Sequence, residues 1–202
     1  MGVVITPRHL APQGDGATPL SPDELVGIRL TWVTTRGQLL EQEALGLQRV
    51  AREHLRRVPT LATILDDAWV RRLHRRIFGH VWAWAGSYRR SEKSIGIDWT
   101  QVSVGVRNLV EDAAMWFEHE DADQAAARLH HRLVEIHPFP DGNGRHARMY
   151  TDLCLRAAGA APFSWGRHRT EPDGDKREAY LTALRTADTT RGVTELAAYC
   201  RT

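Results

Sequence analysis

The chain has 202 residues, 27 Lys and Arg against 25 Asp and Glu, a formal net charge of +2 at pH 7 and 26% charged residues. That length suits one domain with a core large enough to need no disulfide or structural metal. The near-balanced charge argues against a chain drawn by bulk electrostatics onto nucleic acid or a membrane surface. Two cysteines cannot form a disulfide framework, so Cys154, on an apolar helix face, is expected as a free buried thiol in a reducing compartment.

Residues 1 to about 20 are rich in Pro and Gly and read as an extended arm. The opening Met1–Ile5 run is too short for a signal or membrane span and meets Pro7 and Arg8, so a cytoplasmic location with no membrane partner is expected. Ser21-Pro22-Asp23-Glu24 is a helix start, with Ser as N-cap, Pro at the first position and Glu at the third. The short helix that follows should run to about Leu30. Apolar spacing predicts a second helix from about Gln38 to Arg56, ended by Pro59. A third should open at Asp66 or Asp67, carry Trp69, Val70, Leu73 and Ile77, and stop near Gly79. Its Arg71-Arg72 and Arg75-Arg76 pairs read as a solvated face, with a nucleic-acid patch as the alternative. Trp82, Trp84 and Trp99 have apolar or small neighbours and are expected in the core. Further helices are predicted at about 100–119, from about 123 to Ile136, from the motif below to Gly159, at about 176–187 and at about 193–201. Phe163 to Gly166 reads as a packed connector, and residues 170 to 175 as a turn.

Between two of these helices lies His137-Pro-Phe-Pro-Asp-Gly-Asn-Gly-Arg-His-Ala-Arg148. The His137-Pro138 step stops the first helix. Asp141 to Gly144 therefore sits where a loop becomes a helix N-terminus, whose unpaired N–H groups and macrodipole favour an anion. Gly142 and Gly144 let a ligand approach the backbone. Arg145 and Arg148, three apart, should share a helix face, and their planar forks suit phosphate. Asp141 is placed for a hard cation, and His137 can accept a proton near neutrality. Taken singly, each residue also has a plain reading: His137 as a structural histidine, the glycines as an ordinary turn, the arginines as solvated. His130, His131, His137 and His146 match no familiar zinc-ligand spacing.

The stretch resembles the active-site motif of the Fic family, His-x-Phe-x-(Asp/Glu)-Gly-Asn-Gly-Arg-x-x-Arg, and every specified position is met. A second likeness is Trp84-Ala85-Gly86-x-x-Arg89, which resembles the family's Trp-Ala-Gly-x-x-Arg run. The resemblance covers roughly residues 66 to 190 and, through Gly79 to Trp82 and Phe163 to Gly166, leans toward the branch called mobile mystery protein B. It implies an all-α, Fic-like helical bundle with one short β-hairpin flap at about 88–98. An N-terminal arm and helices (1–65) would pack on a Fic domain (66–202).

By the same resemblance, His137 is the base that deprotonates a target hydroxyl, and Phe139 is a buried anchor. Asp141 holds Mg²⁺. Gly142, Asn143 and Gly144 cradle the phosphates of ATP, Arg145 binds phosphate oxygens and Arg148 the γ-phosphate. The flap, with Arg89, Ser94, Ile95 and Gly96, would dock an extended piece of the target by strand addition. The implied activity is transfer of AMP to a Ser, Thr or Tyr hydroxyl of another protein, in a toxin-like module. Many family members are restrained by a helix of pattern (Ser/Thr)-x-x-x-Glu-(Gly/Asn), whose Glu pairs with the second motif arginine. No Glu here is followed by Gly or Asn. The restraint would then come from an antitoxin-like or helix-turn-helix partner protein, or from a divergent internal helix with Glu41 as its candidate. Against that, Glu41 also reads as a solvated carboxylate. A homo-oligomer stays open. The competing reading is a non-catalytic nucleotide-sensing or DNA-associated regulatory protein.

Overall fold

The computed structural model describes residues 20–202; the arm expected over residues 1 to about 20 lies outside the described residues. The helices are α1 (Pro22–Val26), α2 (Arg36–Arg56), α3 (Leu61–Ile64), α4 (Asp67–Phe78), α5 (Val102–His119), α6 (Ala122–Ile136), α7 (Asn143–Ala157), α8 (Asp173–Thr190) and α9 (Thr194–Arg201), with a 3₁₀ turn at Trp99–Gln101.

Local chemistry explains most of the boundaries. Ser21 and Glu24 form the expected capping box, yet α1 ends after one turn and a half, at Val26. Helix α2 starts at Arg36, two residues before its apolar periodicity, because Thr35 and Gln38 make a second capping box. Helix α7 ends at Ala157, and Gly159 beyond it has φ +79°, the left-handed conformation common just after a helix.

One core joins residues of α2, α4, α5, α6 and α7, with Trp82, Tyr150, Phe78 and Phe139 among its largest fully buried side chains. A second, smaller core joins α8 and α9 to one side of α6 through Ala126, Ala127, Leu155, Leu184 and Leu196. Helices α6 and α7 thus separate two apolar layers, and the loop between them emerges at one end.

The expected β-hairpin flap is absent: among the described residues there is no strand, only an isolated bridge between Ile28 and Trp82. Residues 88–98 form an irregular loop instead. The buried Arg89 guanidinium takes up the carbonyls of Ser91 and Ile97, groups that a hairpin ladder would need. Trp99 also departs from expectation; it is 40% exposed, whereas Trp82 is 1% exposed.

Candidate active site

His137 is the last residue tied to α6. Its N–H donates to the Leu133 carbonyl at 3.2 Å, and its backbone is left-handed, with φ 52° and ψ 60°. Since Pro138 disfavours αR at residue 137, the chain turns there out of the helix axis. The ring is 8% exposed. Burial is the main cause that pushes the imidazole down to about 4; a hydrogen bond with the Val134 backbone and the Asp141 charge oppose this, while Arg89 and Lys93 add to it. The ring is therefore neutral and able to accept a proton at physiological pH.

The loop 138–142 is held from three sides. Phe139 is fully buried, and its ring stacks on His74 of α4 with 3.7 Å between centroids. The Asn143 side chain closes the loop on itself: Phe139 N–H donates to its Oδ1 at 2.9 Å and its Nδ2 donates to the Phe139 carbonyl at 2.7 Å. Gly86 N–H donates to Nδ1 of His74 at 3.0 Å, so Nε2 carries the proton and donates to the Asp141 carbonyl at 3.1 Å. His74 therefore joins the Trp84-Ala85-Gly86 turn to the motif loop, and burial drives its pKa well below the usual value.

Arg89 performs the matching task on the other side. It is 2% exposed and donates to the His137 carbonyl at 2.8 Å, while its own N–H donates to the Pro138 carbonyl at 2.9 Å. Gly96, at φ +121°, lies so close that a Cβ there would come within 2.9 Å of His137 Cβ. Arg89, expected to dock a target, thus lies inside the loop it organises. Ser94, Ile95 and Gly96 are exposed above it.

At the start of α7 the chain is open to solvent at Gly144, while Gly142 and Asn143 are buried. Gly142 has φ +78°, and a Cβ on it would strike the Phe78 ring at 2.7 Å. Nothing lies within 4 Å of a Cβ placed on Gly144, which is exposed. A ligand can therefore reach this backbone only from the Gly144 side. One Asp141 oxygen accepts the Gly142 N–H at 2.7 Å. The other, Oδ2, is buried without a hydrogen-bond partner, 3.8 Å from Arg145 and 3.9 Å from Arg36 of α2. Nη1 of Arg36 also lacks a hydrogen-bond partner. Two orphaned polar atoms of opposite charge beside an open helix N-terminus make a site that suits phosphate and a hard cation.

The two motif arginines diverge rather than share one surface. Nη1 of Arg145 donates to Glu43 of α2 at 2.6 Å, and its guanidinium lies over Phe78. Arg148 points toward the second core, 4.7 Å from the centroid of Tyr180 and 5.5 Å from that of Trp165. Glu41, the candidate internal clamp, is exposed, and among the described residues no carboxylate forms an ion pair with Arg148. The buried acid of that helix is instead Glu43, fully buried and bonded also by Trp82 Nε1 at 2.8 Å.

Sequence reasoning thus missed His74, Arg36 and Glu43. His74 and Glu43 left a trace, as lone polar residues on the apolar faces of their helices; Arg36 left none.

Residues 64–155 match the Fic/DOC family. The chain carries a Fic/DOC family domain. Protein adenylyltransferase Fic of Drosophila mojavensis is 34% identical over 109 residues, which is 51% of this chain and 20% of that protein. The Aedes aegypti protein of the same name is 34% identical over 109 residues, 51% of this chain and 21% of its own length. The chain therefore spans about a fifth of the length of these curated relatives. Among solved structures, BepC of Bartonella tribocorum with bound AMPPNP superposes with TM-score 0.68 at 15% identity, covering 98% of this chain and 96% of that one. The N-terminal Fic domain of a Bep effector from Bartonella quintana with bound ADP gives 0.64 at 18% identity, covering 84% and 86%. At these identities the structures establish a shared Fic fold. In this Fic domain, the motif occupies the α6–α7 corner.

Proposed function

We propose that this protein transfers AMP from ATP to a Ser, Thr or Tyr hydroxyl of a target protein. The observation that carries the proposal is the pairing, in one corner, of a neutral imidazole with a helix N-terminus open at Gly144 and flanked by Asp141, Arg36 and Arg145. The names of the curated relatives and the nucleotides in the two Bartonella structures support the same reading.

In this reading the triphosphate rests on the amides of Gly142, Asn143 and Gly144. His137 takes the proton of the incoming hydroxyl. The hydroxyl oxygen bonds to the α-phosphorus, the bond from that phosphorus to its bridging oxygen breaks, and pyrophosphate leaves. Positioning and charge neutralisation carry most of such a reaction. The orphaned Oδ2 of Asp141 is a fitting ligand for Mg²⁺, which would supply further neutralisation of phosphate charge. Arg145 and Arg36 lie beside the phosphates. Arg148 reaches a γ-phosphate only by leaving the Trp165 and Tyr180 rings. Ser94 to Gly96 receive the target. The same proposal includes a toxin-like activity restrained by a separate antitoxin-like partner, and the exposure of Glu41 speaks against that residue as an internal clamp.

The test is incubation with Mg²⁺ and α-labelled ATP, alone and with cell lysate, beside His137→Ala. Label on protein that disappears in the variant supports the transferase. Nucleotide binding with no label on any protein would overturn it in favour of a nucleotide sensor.

A further inference from the structure

A second basic site lies outside the motif corner. Arg29, Arg49, Arg75 and Arg76 line a hollow of about 380 Å³ together with His80 and Trp82, and no residue of 137–148 lines it. The arginines come from three segments: the turn after α1, the middle of α2 and the last turn of α4. No carboxylate lines the hollow. Two acids touch its wall from outside: Glu53 pairs with Arg76, and Glu43 accepts from Trp82 on the side away from the lining. A chain whose formal net charge is only +2 has gathered four guanidiniums around one concavity.

Three of these side chains are oriented before any ligand arrives. Nη2 of Arg49 donates to the Arg76 carbonyl at 2.6 Å, Nε of Arg75 to the Ala85 carbonyl at 3.3 Å, and Arg76 to Glu53. Each tether uses part of a guanidinium's five donors and leaves the others for a ligand. Orientation of this kind lowers the ordering cost of binding. Nε2 of His80 donates to the Gln42 carbonyl at 2.8 Å, which leaves Nδ1 a bare acceptor, buried and without a partner. The volume falls in the range of small-ligand sites, and planar forks bind phosphate oxygens two at a time.

We propose that this hollow binds a compact polyphosphate anion, independently of the nucleotide seat at the motif. One wall residue, Trp82, donates to Glu43, which holds Arg145, so the two sites share a connected set of hydrogen bonds.

Titration calorimetry with tripolyphosphate tests this on the whole chain, comparing the native protein with the Arg29→Gln/Arg49→Gln pair. All four arginines of the hollow are exposed. An unchanged melting temperature will confirm that the variant folds, and Arg75→Gln/Arg76→Gln serves as a second pair. The native protein should bind one more equivalent than either pair, or bind about tenfold more tightly, with affinity falling as salt rises. Arg107→Gln, an exposed arginine on α5, should change nothing. A parallel ATP titration separates the sources: an extra ATP equivalent in the native protein assigns a nucleotide, and equal ATP stoichiometry assigns a free polyphosphate. Equal tripolyphosphate binding in native and variant proteins would overturn the proposal. So would loss of duplex-DNA binding alone in the variants, which would make this face a nucleic-acid surface.

Discussion

At His137 the backbone and the ring are set by different neighbours. The proline that follows excludes αR, Arg89 holds the carbonyl of the resulting left-handed turn, and burial keeps the ring neutral. His137→Ala should therefore remove label transfer and leave AMPPNP affinity within about twofold, since the amide nest does not depend on the ring. Arg145 differs, because it neutralises Glu43, an acid with 1% side-chain exposure. Arg145→Ala should cost roughly 3–5 kcal/mol in urea unfolding, as expected when one partner of a buried pair is removed. Its loss of activity then reports on folding as well as on phosphate binding. The glycines separate in a similar way. Gly142→Ala puts a methyl group against Phe78 at a positive φ and should cost roughly 2 kcal/mol or more. Gly144→Ala meets open space inside a helix, so it should leave stability unchanged or slightly raised while weakening AMPPNP. Similar unfolding curves for the two variants would contradict this account.

At the scale of elements, the motif loop is a bridge between helices that fixes little by itself. His74 of α4 supports it from beneath, Asn143 of α7 closes it, and Arg89 ties it to the 88–98 loop. Arg89 binds carbonyls on both sides, including those of His137 and Ser91. A lysine at this position has one compact ammonium and cannot reach them together. Arg89→Lys should lower the transfer rate while preserving AMPPNP binding, with a stability cost of about 2–4 kcal/mol for the lost charge-assisted bonds. Hydrogen exchange should quicken in residues 91–97. Protection equal to that of the native protein would show that the loop is held by other means.

At the scale of the molecule, several histidines are buried and neutral. Burial lowers His137 and His146 to about 4 and His130 to about 3 from the ordinary 6.5. Between about pH 6.5 and 4 the unfolded chain binds protons that the folded chain excludes. Stability is therefore complete above 6.5 and falls as pH drops through that window. The expected loss is roughly 2 kcal/mol per ring by about pH 5. Urea unfolding at pH 7 and at about pH 5 will read it, and a flat profile would mean that these rings do not stay neutral. The same burial keeps Cys154 protonated, its thiol pushed well above the usual value. Among the described residues no helix is long and apolar enough to cross a membrane.

Most helices were legible in the sequence because their causes are local, although α3 was not expected and α8 takes in Asp173 to Asp175 of the expected turn. Apolar spacing, the Ser21 cap, the break at Pro138 and the glycine at position 159 each act within a few residues. The order of the motif was legible for the same reason, since one loop and one helical turn carry it. Tertiary structure alone decided what those residues touch. It sent Arg145 toward Glu43 and Arg148 toward Tyr180, brought Arg36 beside Asp141, and used Arg89 to hold the loop expected to pair as a hairpin. The first three are contacts between residues far apart in the chain, set by how α2, α7 and α8 pack, and spacing along a single helix carries no record of that packing.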